Sequence, residues 1–131
     1  MTSYKAHNFC SFAVIFYADS FFFFGGKDHN NLYLDDKLYH NAIVRLHGQS
    51  FKWDKVGTLY SNRYGHNVIE QNGQFLIVGG NNADSGGQMK TELCKYENGQ
   101  MTCRQQAPIL AYYEFYPELF LVNTDFCQTY K

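Results

Sequence analysis

Two stretches of this chain, "FAVIFYADSFFFFGG" from Phe12 to Gly26 and "HNVIEQNGQFLIVGG" from His66 to Gly80, follow one plan at a spacing of 54 residues. Each runs from an apolar segment through a polar turn to a second apolar segment and a pair of glycines. Recurrence at a fixed period of this size marks a repeat architecture, in which one supersecondary unit is copied and neighbouring copies bury each other's apolar faces. The period therefore restricts the fold more tightly than any single motif. It also accounts for the four successive aromatics Phe21 to Phe24, since a strand covered on both faces has no need to alternate apolar with polar residues.

The likeness continues downstream. "IVRLHGQSFKWDKVGTL" at Ile43 to Leu59 lies on "CKYENGQMTCRQQAPIL" at Cys94 to Leu110 with a shift of 51, which places Gly48-Gln49 on Gly99-Gln100. Asn98-Gly99 is the dipeptide favoured in a two-residue type I′ hairpin, where both central residues take φ > 0 and the turn's twist matches that of the strands. Each unit is thus expected to hold four antiparallel strands. Composition agrees: 12 Phe, 11 Tyr and one Trp make 18% of the chain, and aromatic side chains suit a pleated, half-buried surface.

A four-stranded unit with a period near fifty, glycines after its second strand and a tryptophan near its fourth resembles the kelch repeat, which supplies one β-propeller blade per copy. The matching residues are Gly25-Gly26 and Gly79-Gly80, the aromatic pair Tyr39 and Trp53, and "RYGH" at Arg63 to His66 (Arg63, Gly65 and His66), which is similar to the stretch that leads into a kelch blade. The second unit departs from the pattern. Arg104 stands at the aligned tryptophan position and Tyr96 is its third-strand aromatic, while "YYEFYPELFLV" at Tyr112 to Val122 lacks the Arg-x-Gly-His pattern. The expected fold is all-β: kelch-type blades at residues 9–63 and 64–110, and residues 111–131 as the first strand of a further blade or a C-terminal strand.

Closed propellers have about 4 to 8 blades, more than 131 residues supply at this period. The chain is therefore expected either to be a fragment of a longer protein, the favoured alternative, or to close a ring with copies of itself through heterologous contacts. The glycines are assigned a structural role, letting the chain turn and pass close to neighbouring backbone. "GGKDHNN" and "GGNNADSGG" have neither phosphate-loop nor dinucleotide-binding spacing.

Net charge of -1 gives no global positive field for nucleic acid or an anionic membrane. The longest apolar run falls far short of a spanning helix. "FCSFAVIFYA" near the N-terminus has the length of a secretory apolar core, but bulky Phe16 and Tyr17 before Ala18 suit cleavage poorly, and a strand is the preferred assignment.

Cys10, Cys94, Cys103 and Cys127 form no C-x-x-C pair. With Asn98-Gly99 as the hairpin loop, Cys94 falls opposite Cys103 at a position where side chains approach most closely, a reachable disulfide. Such a bond points to an oxidising, secretory or extracellular setting; two buried thiols are the alternative. No N-x-[ST] sequon supports secretion, and the pairing of Cys10 and Cys127 stays open.

His7, His29, His40, His47 and His66 show no ligand spacing, and His66 is expected to hydrogen-bond near a strand's start. Asp35-Asp36 and Asp84 read as solvated turns, not calcium loops. Some kelch-fold proteins are enzymes, among them a copper radical oxidase, but none of its ligands maps onto this chain. No metal or cofactor is expected. The resemblance implies a non-catalytic protein-binding module whose contacts come from the long polar segments Lys27 to Lys37 and Asn81 to Lys90, with Asp28, His29, Asn30, Asn82 and Asp84 as candidates. A carbohydrate-acting or oxidising enzyme and a structural repeat without a partner are the alternatives.

Overall fold

The structure, a computed structural model, describes residues 9–28, 40–82, 90–107 and 117–121. The strands are β1 (Phe9–Cys10), β2 (Ala13–Tyr17), β3 (Ser20–Phe24), β4 (Lys27–Asp28), β5 (Ala42–His47), β6 (Trp53–Thr58), β7 (Tyr64–Gln71), β8 (Gln74–Asn81), β9 (Glu92–Glu97) and β10 (Gln100–Gln105). The fold is all-β, with no helix among the described residues. β1 and β4 form a small ribbon of their own, while the other eight strands make one sheet in the order β2-β3-β5-β6-β10-β9-β8-β7.

That sheet consists of two antiparallel meanders, β2-β3-β5-β6 and β7-β8-β9-β10, joined by a single parallel bridge between Gly57 of β6 and Met101 of β10. The opposite ends of the order, β2 and β7, also come into contact, so the sheet nearly closes on itself. Gly57 permits the bridge: a Cβ there would lie 2.4 Å from the Met101 carbonyl oxygen.

Three two-residue hairpin loops set the register. Asn98-Gly99 and Asn72-Gly73 both have positive φ at each residue, and Ala18-Asp19 does the same without a glycine. The register expected from Asn98-Gly99 is the one observed, from Glu97 opposite Gln100 out to Cys94 opposite Cys103.

The shift of 51 does not survive in three dimensions. β5 and β6 are joined through residues 48–52, whereas β9 and β10 are joined through 98–99, and an irregularity between Ile43 and Val44 displaces the pairing again. Followed across the ladder from the paired glycines, Phe21 faces Leu46 and Leu46 faces Trp53, as Phe75 faces Cys94 and Cys94 faces Cys103, so the counterpart of Trp53 is Cys103 and not Arg104. The longer first loop was invisible because Gly-Gln occurs in both stretches and invites an ungapped match.

Residues 111–116 and 122–131 of the expected further strand lie outside the described residues. The described part, 117–121, is not a strand; it lies against the second meander, where the Asn67 side-chain amide donates to the Pro117 carbonyl at 2.7 Å.

The core lies between the meanders. Phe22 and Phe24 of β3 meet Phe75 of β8 with ring centroids 5.9 and 5.8 Å apart, and Tyr96 of β9 packs edge-on to Phe22 at 4.9 Å. Phe22, Phe24, Phe75 and Ile77 are wholly buried. Aromatic pairs in tilted or edge-on geometry add to the burial of their large apolar area.

Candidate functional site

The two long connections expected to carry binding residues spring from neighbouring places. One leaves after Asp28 and returns at His40; the other leaves after Asn82 and returns at Lys90. Their bases are held together by Arg63, which is wholly buried.

The Arg63 backbone serves the first connection. Its carbonyl accepts from the Gly26 amide at 2.8 Å and its amide donates to the His40 carbonyl at 3.3 Å. The guanidinium serves the second, donating to the carbonyls of Gly79 at 3.3 Å and Lys90 at 2.8 Å. Nη2 also donates to Glu92 at 2.6 Å, and Glu92 is equally buried. Glu92 accepts in addition from the backbone amides of Tyr60 at 2.6 Å and Ser61 at 3.2 Å.

A buried charge needs a partner and further hydrogen bonds, because desolvation costs several kcal/mol per ion. This pair has both. Burial pulls the Arg63 guanidinium below its usual range, while the charge of Glu92 and its hydrogen bond oppose that shift.

His66, at the start of β7, crosses from the second meander to the first: Nε2 donates to the Phe24 carbonyl at 2.6 Å. Burial, and secondarily the positive charge of Arg63, lower its pKa from 6.5 to about 3, with the Phe24 hydrogen bond opposing. The imidazole is therefore neutral at physiological pH, a strut between the units. Gly25 leaves room for it, since a Cβ there would lie 2.9 Å from both His66 Cε1 and the Arg63 carbonyl oxygen. Gly80 does the same beside Tyr64 and the His66 Cβ, at 2.7 and 2.9 Å. Gly26, Gly65 and Gly79 are buried alongside.

Trp53 stands apart from this node, on β6, with its ring 5.2 Å from that of Phe23. Tyr39, its expected partner, lies outside the described residues. Among the loop candidates, His29, Asn30 and Asp84 also lie outside them. Asp28 is not in a loop: it closes β4, paired with Phe9 of β1. Asn82 is half-buried, and its side-chain amide donates to the Asn62 carbonyl at 2.7 Å. These two residues are the last described ones before each connection.

Cys94 and Cys103 are joined by a disulfide across β9 and β10, with Cα atoms 4.0 Å apart. Sequence reasoning missed Glu92 and the contact of Arg45, paired with Asp54 at 2.8 Å, which also donates to the Tyr96 hydroxyl. Their only local signal was a charged residue beside apolar neighbours in a strand. Among the described residues no group of three or more His, Cys, Asp or Glu side chains is placed to hold a metal ion, and no helix is long and apolar enough to cross a membrane.

No family model matches the chain, and no curated protein matches it. Among solved structures 91 chains match, so the architecture is one that other proteins adopt. One of them, the structure of YjhT, is similar with a TM-score of 0.56 and 24% identity over 73% of this chain. This chain spans 30% of YjhT, and a likeness at that identity concerns the fold alone.

Proposed function

We propose that this chain is a non-catalytic protein-interaction module, its two meanders being blades of kelch β-propeller type, with the contact surface at the end where the two long connections rise. The observation that carries this reading is the Arg63 node, which fixes the bases of both connections through Gly26, His40, Gly79 and Lys90. Binding residues are commonly presented by loops on a rigid scaffold, and a buried ion pair whose two members also bond backbone groups ties that scaffold together beneath both connections at once. The repeated paired glycines and the four-stranded pairing of each unit support the kelch part of the proposal.

The test is affinity capture with the intact chain and with residues 29–39 or 83–89 replaced by Gly/Ser linkers, each checked for unchanged circular dichroism. Loss of a captured protein on replacing either loop is expected; an interaction unaffected by both replacements removes the proposed surface. Metal analysis of the purified chain addresses the enzyme alternative, since a stoichiometric transition metal would favour catalysis. The Cys94–Cys103 disulfide favours an oxidising compartment, and free thiols at both positions in protein taken from its native source would argue against it.

A further inference from the structure

The two meanders do not meet through the same face. Taking Gly25-Gly26 onto Gly79-Gly80, Phe22 and Phe24 correspond to Leu76 and Val78, while Phe21 and Phe23 correspond to Phe75 and Ile77. Yet Phe22 and Phe24 of the first unit pack against Phe75 of the second. One face of unit one therefore receives the opposite face of unit two, which is a head-to-tail contact.

Such a contact uses one face of each unit and leaves the opposite face of each outside the seam. The outer face of unit one carries Val14, Phe16, Phe21, Phe23, Leu46 and Trp53, placed on one side by the pairs Val14 with Phe23, Phe16 with Phe21, Phe21 with Leu46 and Leu46 with Trp53. Val14, Phe16 and Phe21 are 46%, 58% and 40% exposed. A contiguous aromatic face of this kind marks an interaction site. Its equivalents in unit two are Val68, Glu70, Phe75, Ile77, Cys94 and Cys103; of these, Val68, Phe75, Ile77 and Cys94 belong to the buried core shared with unit one, and Cys103 packs on it.

The outer face of unit two is the counterpart of the surface that receives them. Ile69 with Leu76 and Leu76 with Leu93 form its half-buried apolar strip; at one end Val78, opposite Asn67, is already buried, and Asn67 bonds the buried Pro117 of the segment that carries the exposed Phe120 and Leu121. Polar Gln74, Lys95 and Arg104 flank the strip.

We propose that the outer face of unit one docks on the outer face of unit two in a second copy of this chain, repeating between molecules the head-to-tail contact made within each. Continuity with the internal interface selects this occupant, because the exposed face is equivalent to one that the same chain already covers with its own partner face. A heterologous contact of this kind closes into a ring when its rotation allows, and a ring of about 4 to 8 units corresponds to two to four copies. The proposal uses a surface separate from the loop end and stands independently of the loop-binding reading.

The test is sedimentation equilibrium of the intact chain over a range of concentrations, with two variants, Phe16→Asp/Phe21→Asp and Leu76→Asp/Leu93→Asp. The wild-type chain is expected to form a discrete oligomer and each variant to be a monomer. The two variants mixed are expected to give a species of twice the chain mass, because each retains the face that the other has lost. Circular dichroism and a count of protected cysteines show that each variant folds; for one that does not, Phe16→Lys or Leu76→Lys takes its place. A wild-type chain that is monomeric throughout, or aggregates without defined stoichiometry, would overturn the proposal. So would an oligomer sensitive only to the Phe16/Phe21 changes, which would mean that like faces meet.

Discussion

Phe75 and Phe21 occupy corresponding positions in the two units, 54 residues apart, yet Phe75 is wholly buried and Phe21 is 40% exposed. Their strands have the same hairpin geometry and the same following glycines. Only the neighbour differs: Phe75 has the rings of Phe22, Phe24 and Tyr17 of the other unit against it, whereas Phe21 has Phe16 of its own unit, at 4.9 Å. In a repeat, composition declares which face is built to be covered, and the number of units present decides whether it is.

The sharpest way to break that comparison is to truncate both rings. Phe75→Ala is expected to cost about 3–5 kcal/mol, the range for a buried aromatic removed from a packed core. Phe21→Ala in dilute solution should cost under about 1 kcal/mol. Urea unfolding of the two variants measures the difference, and equal losses would mean that the units do not pack through opposite faces.

Of similar size is the effect of Glu92→Ala. It leaves the Arg63 guanidinium buried and uncompensated, with the amides of Tyr60 and Ser61 also deprived of an acceptor. About 3–5 kcal/mol is expected, and the double variant Arg63→Met/Glu92→Leu should recover part of it. A loss below about 1 kcal/mol on Glu92→Ala would place the pair in solvent.

A smaller effect separates the strut from the core. His66 has a folded pKa near 3 against 6.5, so between these values the unfolded chain binds a proton that the folded chain does not. Its contribution is intact above pH 6.5 and declines as pH falls towards 3, by about 1.4 kcal/mol per pH unit. His66→Gln should flatten this part of the stability profile; an unchanged slope would show that other groups set it.

The smallest expected change is a gain. Ala18 and Asp19 hold φ of 48° and 63° in a turn that favours Asn-Gly. Ala18→Asn/Asp19→Gly should stabilise by about 1 kcal/mol, measurable as a rise in Tm, whereas no gain would mean that the Asp19 side chain contributes there.

Local chemistry made part of this architecture legible before any coordinates. Asn98-Gly99 fixed a register that brought Cys94 opposite Cys103, and the glycine pairs marked the ends of equivalent strands. What escaped was non-local. The role of Glu92 depends on Arg63, Tyr60 and Ser61 arriving from another part of the chain, and the bridge at Gly57 depends on Met101. The extra residues between β5 and β6 escaped for another reason, since an ungapped likeness concealed a loop-length difference that only strand pairing reveals. Of the candidate site, the sequence indicated the two connections and Arg63, but not that one residue secures both.

Opposite faces of the two units meet at the seam, and nuclear Overhauser contacts from the Phe75 ring test this directly. Contacts to the rings of Phe22, Phe24 and Tyr17, with none to Phe21 or Phe23, are predicted. Contacts from Phe75 to Phe21 or Phe23 within one molecule would contradict it.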